Sequence, residues 1–498
     1  MYNKYLPPFP LKILRHTPFS VSIDRVTFIL CSIYLATPNL IFASGYLGIF
    51  PALISIISLL FGYFFIIKNF LQTKSFPLPS RQEHLWILFW SLTITIVSGA
   101  GALLPQAWDY YKHNSILEIL ASRPWPVMLF SGKPLVYYTG YYFLPACLAK
   151  ISGLGTLNFY AFCWQFSGIY LIFRLVKCAF GEFKWYIPLC MLAVFPIDIF
   201  YAIIKFGLIE SRCYISNPHL YDLFFHFDAM ARAVRWVPQH FIPAFIVTMI
   251  ILNPYARKYS IFWLMQTIIF SPFVAVGLFF IVSFNYLRLL YSGHSKKIFN
   301  FINLVCSTLP AIPVILYLFP AKTSNNVAIS GLIFKYMNST ELWLNYFAFF
   351  TNVFLIWYLL FIHDFFNNSK NKGFVWSFSF WNLIFVLILM LFRMGQFDFP
   401  ARTLIPAYIL LMLWVIKCFL HSHGIRRVII IIWFSLGLFC GAYDYCCMIK
   451  GMLLHPQNKF YLNDKNFFDS GLHSEQYIDS EQKLFYRFFS KNGNFFNF

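Results

Sequence analysis

Residues 85–127 read LWILFWSLTITIVSGAGALLPQAWDYYKHNSILEILASRPWPV. The first half, 85–105, is apolar and uncharged, and about 20 such residues cross the hydrocarbon core of a bilayer as a helix. The second half changes abruptly, bringing Asp109, Lys112, His113, Glu118 and Arg123 together at the exit of that run. Similar apolar runs recur along nearly the whole length of a chain that is 59% hydrophobic and 11% charged. The runs are long and continuous. A membrane barrel would need short alternating strands, so the sequence predicts an all-α integral membrane protein.

Candidate spans lie at 27–43, 46–67, 85–104, 156–176, 185–203, 238–253, 261–287, 298–319, 342–364, 375–392, 404–421 and 427–448. Ser271-Pro272 interrupts the run 261–287, which reads as a tight pair of short helices. The net charge of +20 does not point to nucleic acid, because the basic residues sit in short connectors, where Lys and Arg set topology. These groups include Lys68 with Lys74 and Arg81, Arg174 with Lys177 and Lys184, Arg257 with Lys258, and Lys417 with Arg426 and Arg427. They share one side if 135–152 does not cross and 261–287 crosses twice. That solution has 13 crossings, a cytoplasmic N-terminus and an outer C-terminus. The chain then divides into a transmembrane domain, 1–448, and an outer-face tail, 449–498. Outer loops fall at 105–155 and 204–237. The 11 cysteines are scattered without a CxxC pair and read as buried thiols. The opening MYNKYLPPFPLKILRHTPFS has no cleavage pattern, so the first apolar run is expected to stay as an anchor.

Four polar constellations fall on the expected outer side. In WDYYKHNSILEIL, Asp109 lies three residues before Lys112 and four before His113, one face of a helix whose other side is apolar. This is the pattern of an interfacial helix. Its carboxylate would accept a proton from an incoming hydroxyl, and Lys112 and His113 would meet an anion. The stretch 131–153 carries Lys133, Tyr137, Tyr138, Tyr141 and Tyr142 and is broken by Pro and Gly. It suggests an interfacial half-helix whose tyrosines form an aromatic belt or contact a ligand. The segment 221–240 holds Asp222, His226, Asp228, Arg232, Arg235, Gln239 and His240. Its arginines suit a phosphate, which guanidinium binds bidentately. His226 and Asp228 alone make no metal site. In FRMGQFDFPARTLIP, Asp398 and Arg402 stand four apart beside a span, reading either as a mutual ion pair or as a phosphate contact. The sequence has no Walker loop, GxSxG or HExxH, so nothing supports ATP coupling, serine hydrolysis or zinc proteolysis. No metal or other cofactor is called for.

The order of these features resembles the C-type membrane glycosyltransferases, which include protein O-mannosyltransferases and lipid A aminoarabinose transferases. The resemblance rests on an acidic residue just after a span (Asp109), an amphipathic helix, the half-helix KPLVYY (133–138) ending in AKISG, the basic span end RLVKCAFG, and AVFPIDIF (193–200). It covers roughly 85–290 by motif order. The chain is also similar to uncharacterised bacterial membrane proteins with KHN, PWPV, PQH and DFxxR motifs, here WDYYKHNSIL, RPWPV, RWVPQH and DFPAR. The resemblance implies transfer of a sugar from a polyprenyl-phosphate donor to a glycan, lipid or protein acceptor on the periplasmic face of a bacterial inner membrane, in cell-envelope polysaccharide biosynthesis. Asp109 would be the base. Here the family's paired acidic motif is absent, since Trp108 and Tyr110 flank Asp109. By charge and sidedness, Lys112, His113, Lys133, Tyr137, Tyr138, Asp228, Arg232, Arg235, Gln239, His240, Asp398 and Arg402 would surround the donor phosphate. The alternatives are a polymerase or ligase acting on undecaprenyl-pyrophosphate glycans, and a lipid or solute transporter.

Overall fold

The computed structural model describes residues 21–73, 76–107, 109–129, 133–197, 199–210, 227, 229–291, 299–318, 330–332, 340–355, 357–359, 372–394, 398–454 and 484–491. Among these the chain is almost wholly helical. The helices are α1 (Arg25–Tyr46), α2 (Ile49–Leu71), α3 (Arg81–Val97), α4 (Tyr110–Ser122), α5 (Gly140–Ser152), α6 (Leu157–Phe180), α7 (Ile187–Ala193), α8 (Ile199–Glu210), α9 (Met230–Trp236) and α10 (Pro238–Leu252). They continue as α11 (Ser260–Gln266), α12 (Pro272–Tyr291), α13 (Ser307–Leu318), α14 (Thr340–Phe350), α15 (Lys372–Met390), α16 (Asp398–Thr403), α17 (Ile405–His421), α18 (Gly424–Leu454) and α19 (Leu484–Phe488). The described strands are three-residue pieces, β1 (Ser330–Leu332) and β2 (Phe392–Met394), paired antiparallel with Gly331 opposite Arg393.

Helix α10 is the axis of the bundle. Every residue from Pro238 to Leu252 is buried, as expected of a helix apolar on all sides, and α1, α6, α9, α11, α12 and α17 pack around it. The outermost helices show the reverse. Ile57 and Phe64 of α2 and Ile425, Val428 and Ile432 of α18 are more than half exposed, an apolar surface that water would penalise and lipid would not. Among the described residues, four helical stretches are long and apolar enough to cross a membrane: 25–46, 49–71, 154–180 and 424–447. Shorter apolar helices fill the space between them.

The polar ends sort into two groups. At one end the basic connectors meet: Arg25 donates to the Thr73 carbonyl (3.1 Å), Arg174 pairs with the α1 N-cap Asp24 (3.1 Å), and Asn303 donates to the Lys258 carbonyl (2.8 Å). Lys177 donates to the Pro77 carbonyl and Glu83 accepts from the Phe183 N–H, closing α3 onto α6 at the same end. At the far end, Tyr317 donates to the Leu135 carbonyl (3.0 Å), β1 meets β2, and α19 closes on the α1–α2 turn, where Gly48 N–H donates to the Phe489 carbonyl (2.8 Å).

Several expected spans take another shape. The run 85–104 is α-helical only to Val97; Gly99 and Gly101 have φ of 86° and 69°, a region open to glycine, and end the helix in a short turn that packs against α6. The run 185–203 divides at Phe195-Pro196, because proline cannot continue the backbone ladder, and the Val194 carbonyl turns instead to the Tyr408 hydroxyl. The interruption at Ser271-Pro272 does separate two helices, yet α11 has only 7 residues, too short to cross alone. Tyr141 and Tyr142 face inward from α5, at 5% and 0% exposure, and form no surface belt.

Candidate functional site at the far end of the bundle

The site grows from α4. Asp109 occupies its N-cap position, where the exposed N–H groups of the first turn favour a carboxylate, although its side chain makes no capping bond. It pairs with Lys112 instead, at 3.5 Å, and both remain partly open to solvent, at 25% and 20%. The three-residue spacing thus yields an internal ion pair one turn long. Glu118 lies farther along the same helix and is half-buried.

His113 is buried, at 2% exposure, and both its nitrogens are engaged. Nε2 lies 2.9 Å from the Trp236 carbonyl and Nδ1 2.6 Å from the Tyr142 hydroxyl. A carbonyl only accepts, so Nε2 carries the proton and Nδ1 accepts from Tyr142. Burial, reinforced by the Lys112 charge, pushes the imidazole pKa down to about 4, with Arg402 contributing in the same direction. His113 is therefore a neutral clasp joining α4, α5 and α9, in place of the anion-meeting cation the spacing suggested.

Gln165 on α6 is a second clasp. Its amide nitrogen donates to Ser98 Oγ and to the Val234 carbonyl, each at 2.8 Å, and its oxygen accepts from Tyr141 (2.7 Å). A buried amide with its bonding capacity met fixes the elements around it, and here it ties α5, α6 and α9 together beneath α4.

Arg232 and Arg235 stand three apart on α9 and share one partner, Asp444 of α18. Arg232 donates to Oδ1 at 2.9 Å and Arg235 donates to Oδ2. Burial lowers the Arg235 pKa while Asp444 opposes the shift. The expected phosphate clamp is thus loaded with a carboxylate. Sequence reasoning passed over Asp444; a lone carboxylate inside an apolar span was the signal that could have found it.

The following residues continue the cluster. Gln239 and His240 open α10 and are fully buried. His240 Nδ1 is 2.6 Å from Ser271 Oγ in the α11–α12 turn, and its ring lies 4.9 Å from that of Tyr138. Among the described residues, neither amide atom of Gln239 finds a hydrogen-bond partner. Tyr137 is anchored through its N–H to the Tyr317 hydroxyl (3.3 Å) and packs on Tyr138. Lys133 is exposed. Arg402, on α16, is buried at 9% exposure and is close enough to His113 to act on its charge. Asp228, with Asp222 and His226, lies outside the described residues, as does the side chain of Asp398 and with it either reading of Asp398 and Arg402.

The arrangement thus brings Asp109, Lys112, His113, Tyr137, Tyr138, Arg232, Arg235, Gln239, His240 and Arg402 onto one connected set of elements, with Lys133 at its edge. It offers a partly exposed carboxylate beside a lysine, two arginines bridged by Asp444, a further buried arginine, Arg402, and buried tyrosines and amides. Among the described residues no three His, Cys, Asp or Glu gather as a metal site. No family model matches the chain, and neither a curated protein nor a solved structure matches it.

Proposed function

We propose that the protein is a C-type glycosyltransferase-like enzyme that moves a sugar from a polyprenyl-phosphate donor to an acceptor on the periplasmic face of a bacterial inner membrane. In this reading the N-terminus is cytoplasmic and the far end of the bundle faces outward. Asp109 takes the acceptor proton. Lys112, Arg402 and the α9 arginines stabilise the departing phosphate, whose developing charge needs fixed positive groups nearby. His113 holds α4 in register instead of binding the anion. The observation that carries the reading is a solvent-reachable carboxylate, Asp109, paired with Lys112 beside His113, on whose charge the buried Arg402 also acts, at one end of an apolar helical bundle. A lipid-linked donor arrives already activated, which accords with the absence of a nucleotide motif from the sequence.

The test compares lipid-linked sugars and cell-surface glycans by mass spectrometry in wild type, a deletion and Asp109→Asn. The expected result is that deletion and Asp109→Asn lose the same glycan while the polyprenyl-phosphate sugar accumulates. Loss of a general base slows such a step about 10²- to 10⁴-fold. A deletion that alters glycans while Asp109→Asn does not would reassign the base and favour a polymerase or ligase. Unchanged glycans in both would remove the transferase reading.

A further inference from the structure

Asp444 is the one carboxylate in the sequence of α18, and it falls within the stretch 424–447 that is long and apolar enough to cross a membrane. A carboxylate there is costly unless it is paired. Its partners are fixed from both sides: the Arg232 guanidinium lies 5.6 Å from the Phe195 ring and that of Arg235 lies 5.3 Å from the Tyr445 ring. Asp444 is the most open of the three, at 17% side-chain exposure against 7% and 4% for the arginines. It sits on a helix whose apolar window is only 28% buried. The trio carries two positive charges and one negative. Guanidinium forks accept carboxylate and phosphate oxygens in the same geometry, so a phosphate would take the positions that Oδ1 and Oδ2 hold.

We propose that the α9–α18 seam is a phosphate-binding site, reached from the lipid-facing side, in which Asp444 occupies the two guanidinium positions and a phosphate-bearing lipid displaces it. The seam connects directly to the rest of the site. Arg235 precedes Trp236, whose carbonyl holds His113, and His113 lies four residues after Asp109 on the same helical face. Exchange of Asp444 for the phosphodiester of a lipid-linked sugar would swap one negative charge for another on α9 and release the C-terminal part of α18. This inference rests on the donor of the proposed function carrying a phosphate.

The experiment titrates geranyl phosphate, inorganic phosphate and geraniol into the purified full chain in detergent. It compares wild type, Asp444→Asn and the double variant Arg232→Gln/Arg235→Gln. Removing a competing charged partner should tighten geranyl phosphate binding about tenfold in Asp444→Asn, and the double arginine variant should lose it. Hydrogen exchange of the wild type, which needs no variant to fold, should rise over 440–450 when geranyl phosphate is added. Binding by Asp444→Asn that is equal to or weaker than wild type, with the arginines still required and no rise in exchange, would overturn the displacement while leaving the donor reading intact. Binding that ignores the arginines would remove the site from this seam. Inorganic phosphate binding as tightly as geranyl phosphate would overturn the lipid source. Failure of every phosphate ligand to bind wild type would count against the polyprenyl-phosphate reading itself.

Discussion

His113 shows how burial redirects a residue whose sequence context suggests a ligand. Its folded pKa is about 4 because burial disfavours the imidazolium, whereas an unfolded histidine titrates near 6.5. Between these values the unfolded chain binds the extra proton. Stability conferred by the neutral clasp is therefore complete above about pH 6.5 and falls as the pH drops toward 4, by up to about 3 kcal/mol. Thermal unfolding in detergent across this range should show that slope in wild type and a much flatter one in His113→Gln. The same substitution disturbs the bonds to Trp236 and Tyr142, so it should also cost about 1–3 kcal/mol at neutral pH. An unchanged pH slope in His113→Gln would mean that another group titrates.

At the scale of elements, two glycines set how closely helices approach. A Cβ on Gly437 of α18 would lie 1.9 Å from the Ala193 carbonyl oxygen at the end of α7, and one on Gly277 of α12 would lie 2.1 Å from the Thr403 carbonyl oxygen of α16. Backbone on the far side cannot rotate away as a side chain can. Gly437→Ala must therefore push α18 outward, at a cost of about 1–3 kcal/mol, and should strain the pairing of Asp444 two turns farther along the same helix. Gly277→Ala should shift α16 and with it Arg402. The measurement is melting temperature together with glycan output: Gly277→Ala should impair output more than its stability loss accounts for, whereas equal losses would make Gly277 a packing residue alone.

At the scale of the molecule, the apolar outer surface and the division of polar groups between two ends define the architecture. The last described segment belongs to that architecture. Phe485 is fully buried and packs on Phe42 and Tyr317, with ring centroids 6.0 and 5.2 Å away, and Lys491 N–H donates to the Tyr46 carbonyl (3.1 Å). Removing 484–498 should uncover Tyr317, loosen its bond to Leu135 and lower the melting temperature by about 1.5–3 °C, since burying one large aromatic is worth about 1.5–3 kcal/mol. Sidedness is checked separately: a reporter active only in the periplasm should work when fused after Phe498 and fail when fused before Met1. The reverse pattern would invert the proposed orientation.

By itself the sequence determined the helical membrane class, because hydropathy over 20 residues is a property of the chain and needs no partner. It also determined which connectors are basic, the helix at WDYYKHNSIL, and the break at Ser271-Pro272, since each follows from local charge, spacing or backbone chemistry. Only the tertiary structure decided what those residues do. Asp109 and His113 share a helical face in either view, yet His113 is neutral because the Trp236 carbonyl and the Tyr142 hydroxyl close around it from α9 and α5. Arg232 and Arg235 read as an open clamp until Asp444, more than two hundred residues later, arrives from another helix. Gln165 gives no sequence signal, because its worth lies in four partners drawn from separate segments. Local pattern sets where a polar group sits along a helix; packing from distant chain sets its partner, and in a low-dielectric interior the partner sets its charge and its chemistry.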